Sequence, residues 1–321
     1  MSGFWDEHPG VARQLEDVRQ AIRDSAQSDD SDVQASVGQL LESNGKMLRP
    51  AFVILASQFG APPADRITRI AAAIEMLHMA TLAHDDIIDG AALRRGVATL
   101  HALRGPRTAV LVGDWLFASC FSMVADFAAV ENSRALSQMV ARICGSEVSQ
   151  SADRHRVSTS VRRYLRRIAG KTAALFALSF YVGAHESGCP PEICGRLRRL
   201  GYCLGMGFQI IDDILDFQGP GADTGKPTGR DLAEGIYTIP TIFALKHDDG
   251  RLAGALSRRP RSRRSLSRTA ALIVERGGIA RARELAERYT ERSRREISHL
   301  PCGQPRAALE AVTEKLLHRT R

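Results

Sequence analysis

The chain predicts an all-α fold, and three observations carry that expectation. Apolar residues recur at three- and four-residue intervals through most of the 321 residues. No run alternates apolar and polar residues between hairpin turns. Gly and Pro cluster between the helical runs. Taken in order, the runs are VARQLEDVRQAI, ITRIAAAIEMLHMATLA, LVGDWLFASCFSMVADFAAV, ALSQMVARICGSEVSQ, TAALFALSFYVG, ICGRLRRLGYCLGMGFQIIDDILDF and ARARELAERYTERSRREI. Breaks fall at 25–32, 60–65, 104–106, 187–192 and 218–231. None is long enough to read as an interdomain linker, and the helical style continues on both sides. One large helical domain over residues 1–321, with an N-terminal helix within 1–30, is the simplest organisation. Two domains remain the alternative.

Composition sets outer bounds. With 44% hydrophobic and 25% charged residues the chain can bury a sizeable core. No apolar run approaches the ~18–20 residues of a membrane span, and the first residues lack the basic and apolar regions of a signal peptide. The cytoplasm is therefore the expected location. Six cysteines without a CxxC pair argue against zinc and against a disulfide framework, and read as buried thiols. The net charge is +8, yet seven arginines between 251 and 268, with no acid among them, account for nearly all of it. A solvated loop is the plainer reading of that tract. Contact with anionic lipid or nucleic acid is the alternative. With only 6% aromatic residues and none interleaved in the tract, nucleic acid is not the expected partner.

The chemistry-bearing feature is a repeated aspartate motif. The first apolar helix of the central region ends in Asp85, Asp86 and Asp89, just before Gly90. Carboxylates there face the negative end of the helix dipole, which is unfavourable. The spacing returns at Asp212, Asp213 and Asp216, again at the end of an apolar helix before a Gly/Pro break. Residues i and i+4 share a helix face, so Asp85 projects with Asp89 and Asp212 with Asp216. One acidic helix end is commonplace, but two with identical spacing point to a cation that offsets the repulsion. An all-oxygen donor set suits a hard ion, Mg²⁺ or Mn²⁺, which typically bridges carboxylates to substrate phosphates. Candidate phosphate-binding cations stand near helix ends: Lys46 and Arg49 in NGKMLRP, Arg94 and Arg95 in LRRG, Lys171 beside Thr172 in AGKTAALF, and Lys226 in DTGKPTGRD.

These motifs, in this order and together with GDWLF, GFQIIDDILDF, GKPTGRDLAEG and TIPTIFAL, resemble the trans-polyprenyl diphosphate synthases from about residue 35 to the C-terminus. The resemblance implies a single helical bundle of isoprenoid synthase type around a central elongation cavity, usually as a homodimer. It implies head-to-tail condensation of isopentenyl diphosphate onto an allylic diphosphate, giving an all-trans polyprenyl diphosphate. Typically three Mg²⁺ ions would be held by Asp85, Asp86, Asp89 and Asp212, with Asp213 and Asp216 completing the site. Arg94, Lys171 and Lys226 would hold the allylic diphosphate, with Thr172 and Gln209 facing the allylic cation. Lys46, Arg49, His78 and Arg95 would hold isopentenyl diphosphate, a buried structural histidine being the other reading of His78. Many members carry a lysine where this chain has Ile236, which removes one diphosphate-binding charge.

The resemblance also implies that the helix carrying the first motif walls the elongation cavity, so its earlier residues lie deeper by about 1.5 Å each. Ala80, five residues before Asp85, and Thr81 are small, so the chain is expected to grow past them toward Leu77 and Met76, or to aromatics such as Phe117 and Phe121. A product longer than about twenty carbons is expected on this geometry, with twenty as the alternative. A class I terpene cyclase or the non-catalytic subunit of a heteromeric synthase are further alternatives, although both aspartate sets are intact. Peripheral membrane contact fits both an apolar product and the arginine tract.

Overall fold

The computed structural model describes residues 4–26, 31–43, 45–61, 63–125, 130–218, 229–260 and 262–317. Helices dominate, as the periodicity predicts. In chain order they are α1 (Pro9–Ser25), α2 (Ser31–Ser43), α3 (Leu48–Ser57), α4 (Ala64–Ile88), α5 (Leu100–Arg104), α6 (Pro106–Ala125), α7 (Val130–Ala152), α8 (Val161–Ile168), α9 (Ala174–Glu186), α10 (Pro191–Gln218), α11 (Arg230–Glu234), α12 (Ile239–Leu245), α13 (Arg251–Ser257), α14 (Arg263–Glu275), α15 (Gly278–Ser298) and α16 (Gln304–Leu317). A π-helical turn, Ala169–Ala173, joins α8 to α9. Two-residue strands β1 (Leu93–Arg94) and β2 (Val97–Ala98) pair antiparallel between α4 and α5.

The chain divides into two compact units, each discontinuous in sequence. The first comprises residues 1–137, 178–197 and 301–308, and the second 138–177, 198–300 and 309–321. In the first unit α4 is the central element, packed on α1, α3, α5 and most extensively on α6. Its Ala-rich stretch buries Ala71, Ala72, Ala73 and Ala80, which lets neighbouring helices approach closely. Gly113 on α6 lies against the His84 imidazole of α4, with no room for a Cβ. Phe52 of α3 stacks on Phe180 of α9 at 4.7 Å, both fully buried and each stabilising by about 1.5–3 kcal/mol. In the second unit α12 is the hub, packed on α8, α14 and α15.

Four local expectations are corrected. The LRRG stretch forms a hairpin: Arg95 (φ 52°) and Gly96 (φ 82°) both adopt positive φ, the signature of a type I′ turn, in a run too short to show alternation. The arginine tract is only in part a loop: Arg258 and Arg259 are exposed between α13 and α14, but Arg251, Arg263, Arg264 and Arg268 lie on those helices, above Leu252, Leu256, Leu266, Thr269, Ala270 and Ile273 buried at helical spacing. The cysteines are free, but only Cys120, Cys189 and Cys194 are buried; Cys144 and Cys302 are exposed. Finally, α6 is 20 residues and, by length and composition alone, apolar enough to cross a membrane, with 33% of it buried. Arg107 and Asp114 interrupt the run and hide this from a search for an unbroken apolar stretch.

The π-turn depends on a close approach. A Cβ at Gly205 of α10 would stand 2.6 Å from the Ala173 Cα. Gly205→Ala should therefore lower the unfolding free energy by about 1–3 kcal/mol through overpacking. Gly254→Ala, at a helical position with open space around it, should be neutral or slightly stabilising. Urea unfolding of the two variants checks the contrast.

Candidate active site

The first aspartate motif ends α4, where no basic residue occupies the last turn. The middle carboxylate, Asp86, is buried, while Asp85 and Asp89 are half-exposed. Asp86 accepts from Arg94 Nε at 2.9 Å and pairs with its Nη2 at 2.7 Å, a two-pronged contact across the hairpin. Thr99 fixes that hairpin, donating from Oγ1 to the Ala91 carbonyl at 2.6 Å, and Gln39 donates to the Ala98 carbonyl at 3.3 Å.

The structure gathers the basic residues beside this motif. Burial first, then the charges of Arg49, Arg95 and Arg94, hold the His78 imidazole well below the usual histidine range. Gly45 lies directly under the Arg95 guanidinium, so a side chain there would displace it. Lys46 is exposed, its ammonium 5.0 Å from the centre of the Phe4 ring and its carbonyl accepting from Trp5 Nε1 at 2.6 Å. Arg49, His78, Arg94 and Arg95 thus share one electropositive neighbourhood, with Lys46 next to Gly45 at its edge. A neutral imidazole among three guanidiniums is a hydrogen-bonding group placed where an anion is wanted.

The second motif ends α10, again without a basic residue in the last turn. Here too the middle carboxylate, Asp213, is buried and the outer two are half-exposed. Asp213 accepts from Tyr164 Oη at 2.6 Å and from Gln209 Nε2 at 3.0 Å. Gln209 Oε1 in turn accepts from Thr172 Oγ1 at 2.8 Å. Burial pushes Asp213 up to about 7, against the opposing pull of those hydrogen bonds and of Arg167. Asp216 accepts from the backbone N–H groups of Arg230 (3.1 Å) and Asp231 (3.3 Å) at the start of α11. Burial raises Asp216 and carries Asp231 well above the usual carboxylate range, with Asp216 and Asp213 adding to the effect on Asp231. Lys171, on the π-turn, pairs with Glu147 of α7 at 2.7 Å. π-Turns of this kind concentrate at functional sites.

Tyr164, Arg167, Glu147 and Asp231 had not been singled out. Tyr164 reaches Asp213 on another helix, a pairing that local sequence does not show. Glu147 likewise pairs across helices and left no signal. Ile236 is buried and donates its backbone N–H to the Asp231 carbonyl at 2.8 Å. Lys226 lies outside the described residues. Of the tunnel candidates, Met76, Leu77 and Ala80 are fully buried and Thr81 is half-exposed. Met76 packs on α1, its sulfur accepting from Ser25 Oγ at 3.6 Å. Phe117 is half-exposed with its ring 5.5 Å from that of His84, and Phe121 is half-exposed.

Among the described residues, no three His, Cys, Asp or Glu side chains converge to hold a metal by themselves. The donor chemistry nevertheless fits Mg²⁺, which keeps several waters and is usually bound by one or two carboxylates together with substrate phosphates. Each motif offers half-exposed carboxylates of that kind beside a buried one already satisfied by hydrogen bonds.

A pH dependence follows from His78. The unfolded imidazole titrates near 6.5, whereas the folded one is held lower. As pH falls, the unfolded chain takes up this proton first, so the stability contributed by neutral His78 is present above about pH 6.5 and lost through the folded pKa. Unfolding free energies between about pH 7.5 and 5 should fall less steeply in His78→Gln than in the parent chain.

The profile of the family described as polyprenyl synthetase matches residues 30–273. Heptaprenyl diphosphate synthase component 2 of Geobacillus stearothermophilus is 36% identical over 292 residues, 91% of this chain and 91% of that protein. Geranylgeranyl pyrophosphate synthase from Lactobacillus brevis superimposes with a TM-score of 0.92 at 35% identity, covering 98% of this chain and 99% of that one. Polyprenyl synthase from Caulobacter crescentus, complexed with calcium and isoprenyl diphosphate, superimposes at 0.91 with 32% identity, covering 100% and 99%. With that match added to the two aspartate-ended helices and the basic cluster beside the first of them, this chain belongs to the polyprenyl synthetase family.

Proposed function

We propose that this transferase condenses isopentenyl diphosphate head to tail onto an allylic diphosphate, giving an all-trans polyprenyl diphosphate longer than twenty carbons. The observation that carries the reading is the repeated arrangement of a buried, hydrogen-bonded central aspartate flanked by half-exposed ones at the ends of α4 and α10. The carboxylates of Asp85, Asp86, Asp89, Asp212, Asp213 and Asp216 would hold Mg²⁺, three ions per site, with Mn²⁺ as a substitute. Bound there, the metal supplies electrostatic stabilisation of charge developing on the departing diphosphate.

The chain's own groups do the rest. Arg94, Lys171 and Lys226 hold the allylic diphosphate, Arg94 exchanging its Asp86 contact and Lys171 its Glu147 contact for phosphate oxygens. Lys46, Arg49, His78 and Arg95 hold isopentenyl diphosphate, the neutral imidazole acting as donor between guanidiniums. The allylic C–O bond breaks with its electron pair leaving on the diphosphate. The isopentenyl double bond then forms the new C–C bond, and the released diphosphate takes the proton. The oxygen dipoles of Thr172 and Gln209, fixed by their mutual hydrogen bond, stabilise the carbocation.

A product beyond twenty carbons is supported by the heptaprenyl relative and by the small residue Ala80. The Lactobacillus brevis structure favours the alternative of twenty. Homodimerisation is supported by apolar surface on α5 and α6, where Leu103, Val110 and Leu111 are exposed. The relative's designation as a component favours a second reading, in which this chain works with a different subunit. The expected working place is the cytoplasm.

Mass spectrometry of products from the purified chain, isopentenyl diphosphate, Mg²⁺ and farnesyl or geranylgeranyl diphosphate tests the reading. A ladder passing twenty carbons is expected, and termination at twenty selects the alternative. No condensation without an added subunit would favour the two-component reading. Asp85→Ala combined with Asp86→Ala should reduce turnover on the order of 10³-fold or more. Ala80→Phe should shorten the product to about fifteen to twenty carbons, because the aromatic ring sits only about 7.5 Å along the helix from Asp85.

A further inference from the structure

Residues 251–275 carry charge that the proposed chemistry does not use. Helices α13 and α14 turn Leu252, Leu256, Leu266 and Ile273 inward, which leaves the arginines outside. Two arginines at the margins are neutralised locally: Arg251 pairs with Asp249 at 2.9 Å and Arg276 with Asp248 at 3.2 Å. Between them Arg258, Arg259, Arg263, Arg264 and Arg268 are exposed, and no ion pair reaches them among the described residues. Arg264 and Arg268 stand one turn apart on the side of α14 opposite its buried stripe. Glu275, at the far end of α14, is the one acid in the segment.

The placement is unfavourable by itself. Arg263 and Arg264 open α14, where the helix dipole is positive and no acidic residue stands in the first turn. Like charges crowded against a positive helix end gain stability from an external anionic surface.

We propose that the outer face of α14, together with Arg258 and Arg259 just before it, is a docking surface for a bilayer rich in anionic headgroups. The charge is spread over α14 and the connection that precedes it, with Arg258, Arg259, Arg263, Arg264 and Arg268 all exposed, suiting a plane of phosphates. Residues 251–275 contain no aromatic side chain on which a nucleic-acid base could stack. The apolar tail of the product gives the enzyme a reason to work at a bilayer; that support rests on the proposed function, whereas the charge argument does not.

Vesicle flotation of the full chain without substrates isolates the docking from catalysis. Vesicles of phosphatidylcholine with about one-third phosphatidylglycerol should bind it at least about tenfold better than phosphatidylcholine alone. Raising NaCl from about 50 to about 500 mM should remove most of that preference. The combined variant Arg258→Gln, Arg263→Gln, Arg264→Gln and Arg268→Gln should lose binding by about tenfold or more, while its condensation activity on soluble substrates is unchanged. The matching Arg→Lys variant should retain it. Equal binding to neutral vesicles, unchanged binding by the glutamine variant, or preferential binding of single-stranded homopolymer RNA over anionic vesicles at the same salt overturns the proposal. If the glutamine variant does not fold, the lipid and salt comparisons on the parent chain decide alone.

Discussion

Everything described here answers one electrostatic constraint: carboxylates concentrated at the C-terminal ends of two apolar helices, where the helix dipole opposes them. Both helices resolve it the same way. The central aspartate turns inward and is satisfied by specific donors, Arg94 for Asp86 and Tyr164 with Gln209 for Asp213. The outer carboxylates stay partly in contact with solvent. A buried carboxylate without such donors would cost several kcal/mol or take up a proton, and burial raises Asp213 even with its hydrogen bonds in place.

The surrounding architecture follows from those donors. The type I′ hairpin exists between α4 and α5 where it carries Arg94 back to Asp86. The first turn of α11 directs two N–H groups at Asp216. The π-turn places Thr172 against Gln209, which in turn reaches Asp213, so a backbone irregularity is tied to the acidic motif through two hydrogen bonds. Lys171 and Arg94 both rest on carboxylates, which holds these cations in place; in the proposed reaction such preorganisation would spare the cost of ordering charged side chains as charge develops.

The sequence exposed what is local and periodic. Helices of 25 and 28 residues, α4 and α10, write their apolar faces plainly, and the aspartates at their ends repeat with one spacing. The basic residues around His78 were legible one by one, but the structure sets Arg94 with Arg49 and Arg95 around His78, whereas the resemblance groups Arg94 with Lys171 and Lys226. Partners contributed by other helices were not legible: Glu147 on α7 reaches Lys171, and Tyr164 reaches Asp213 across 49 residues. Asp231 sat within a quoted motif, yet its burial beside Asp213 and Asp216 is a property of tertiary packing. The arginine tract misled because its charges overshadowed four well-spaced leucine and isoleucine residues. The hairpin misled because two residues per strand are too few to show a period.

The proposal that the aspartate motifs share Mg²⁺ with substrate phosphate makes a specific thermodynamic demand. Isothermal titration of the full chain with inorganic diphosphate, with and without Mg²⁺, measures it directly. Diphosphate binding at least about tenfold tighter with Mg²⁺ present, alongside weak binding of Mg²⁺ alone, is the predicted result. Diphosphate affinity that does not change with Mg²⁺ would contradict the assignment of the two aspartate motifs as a shared metal–diphosphate site.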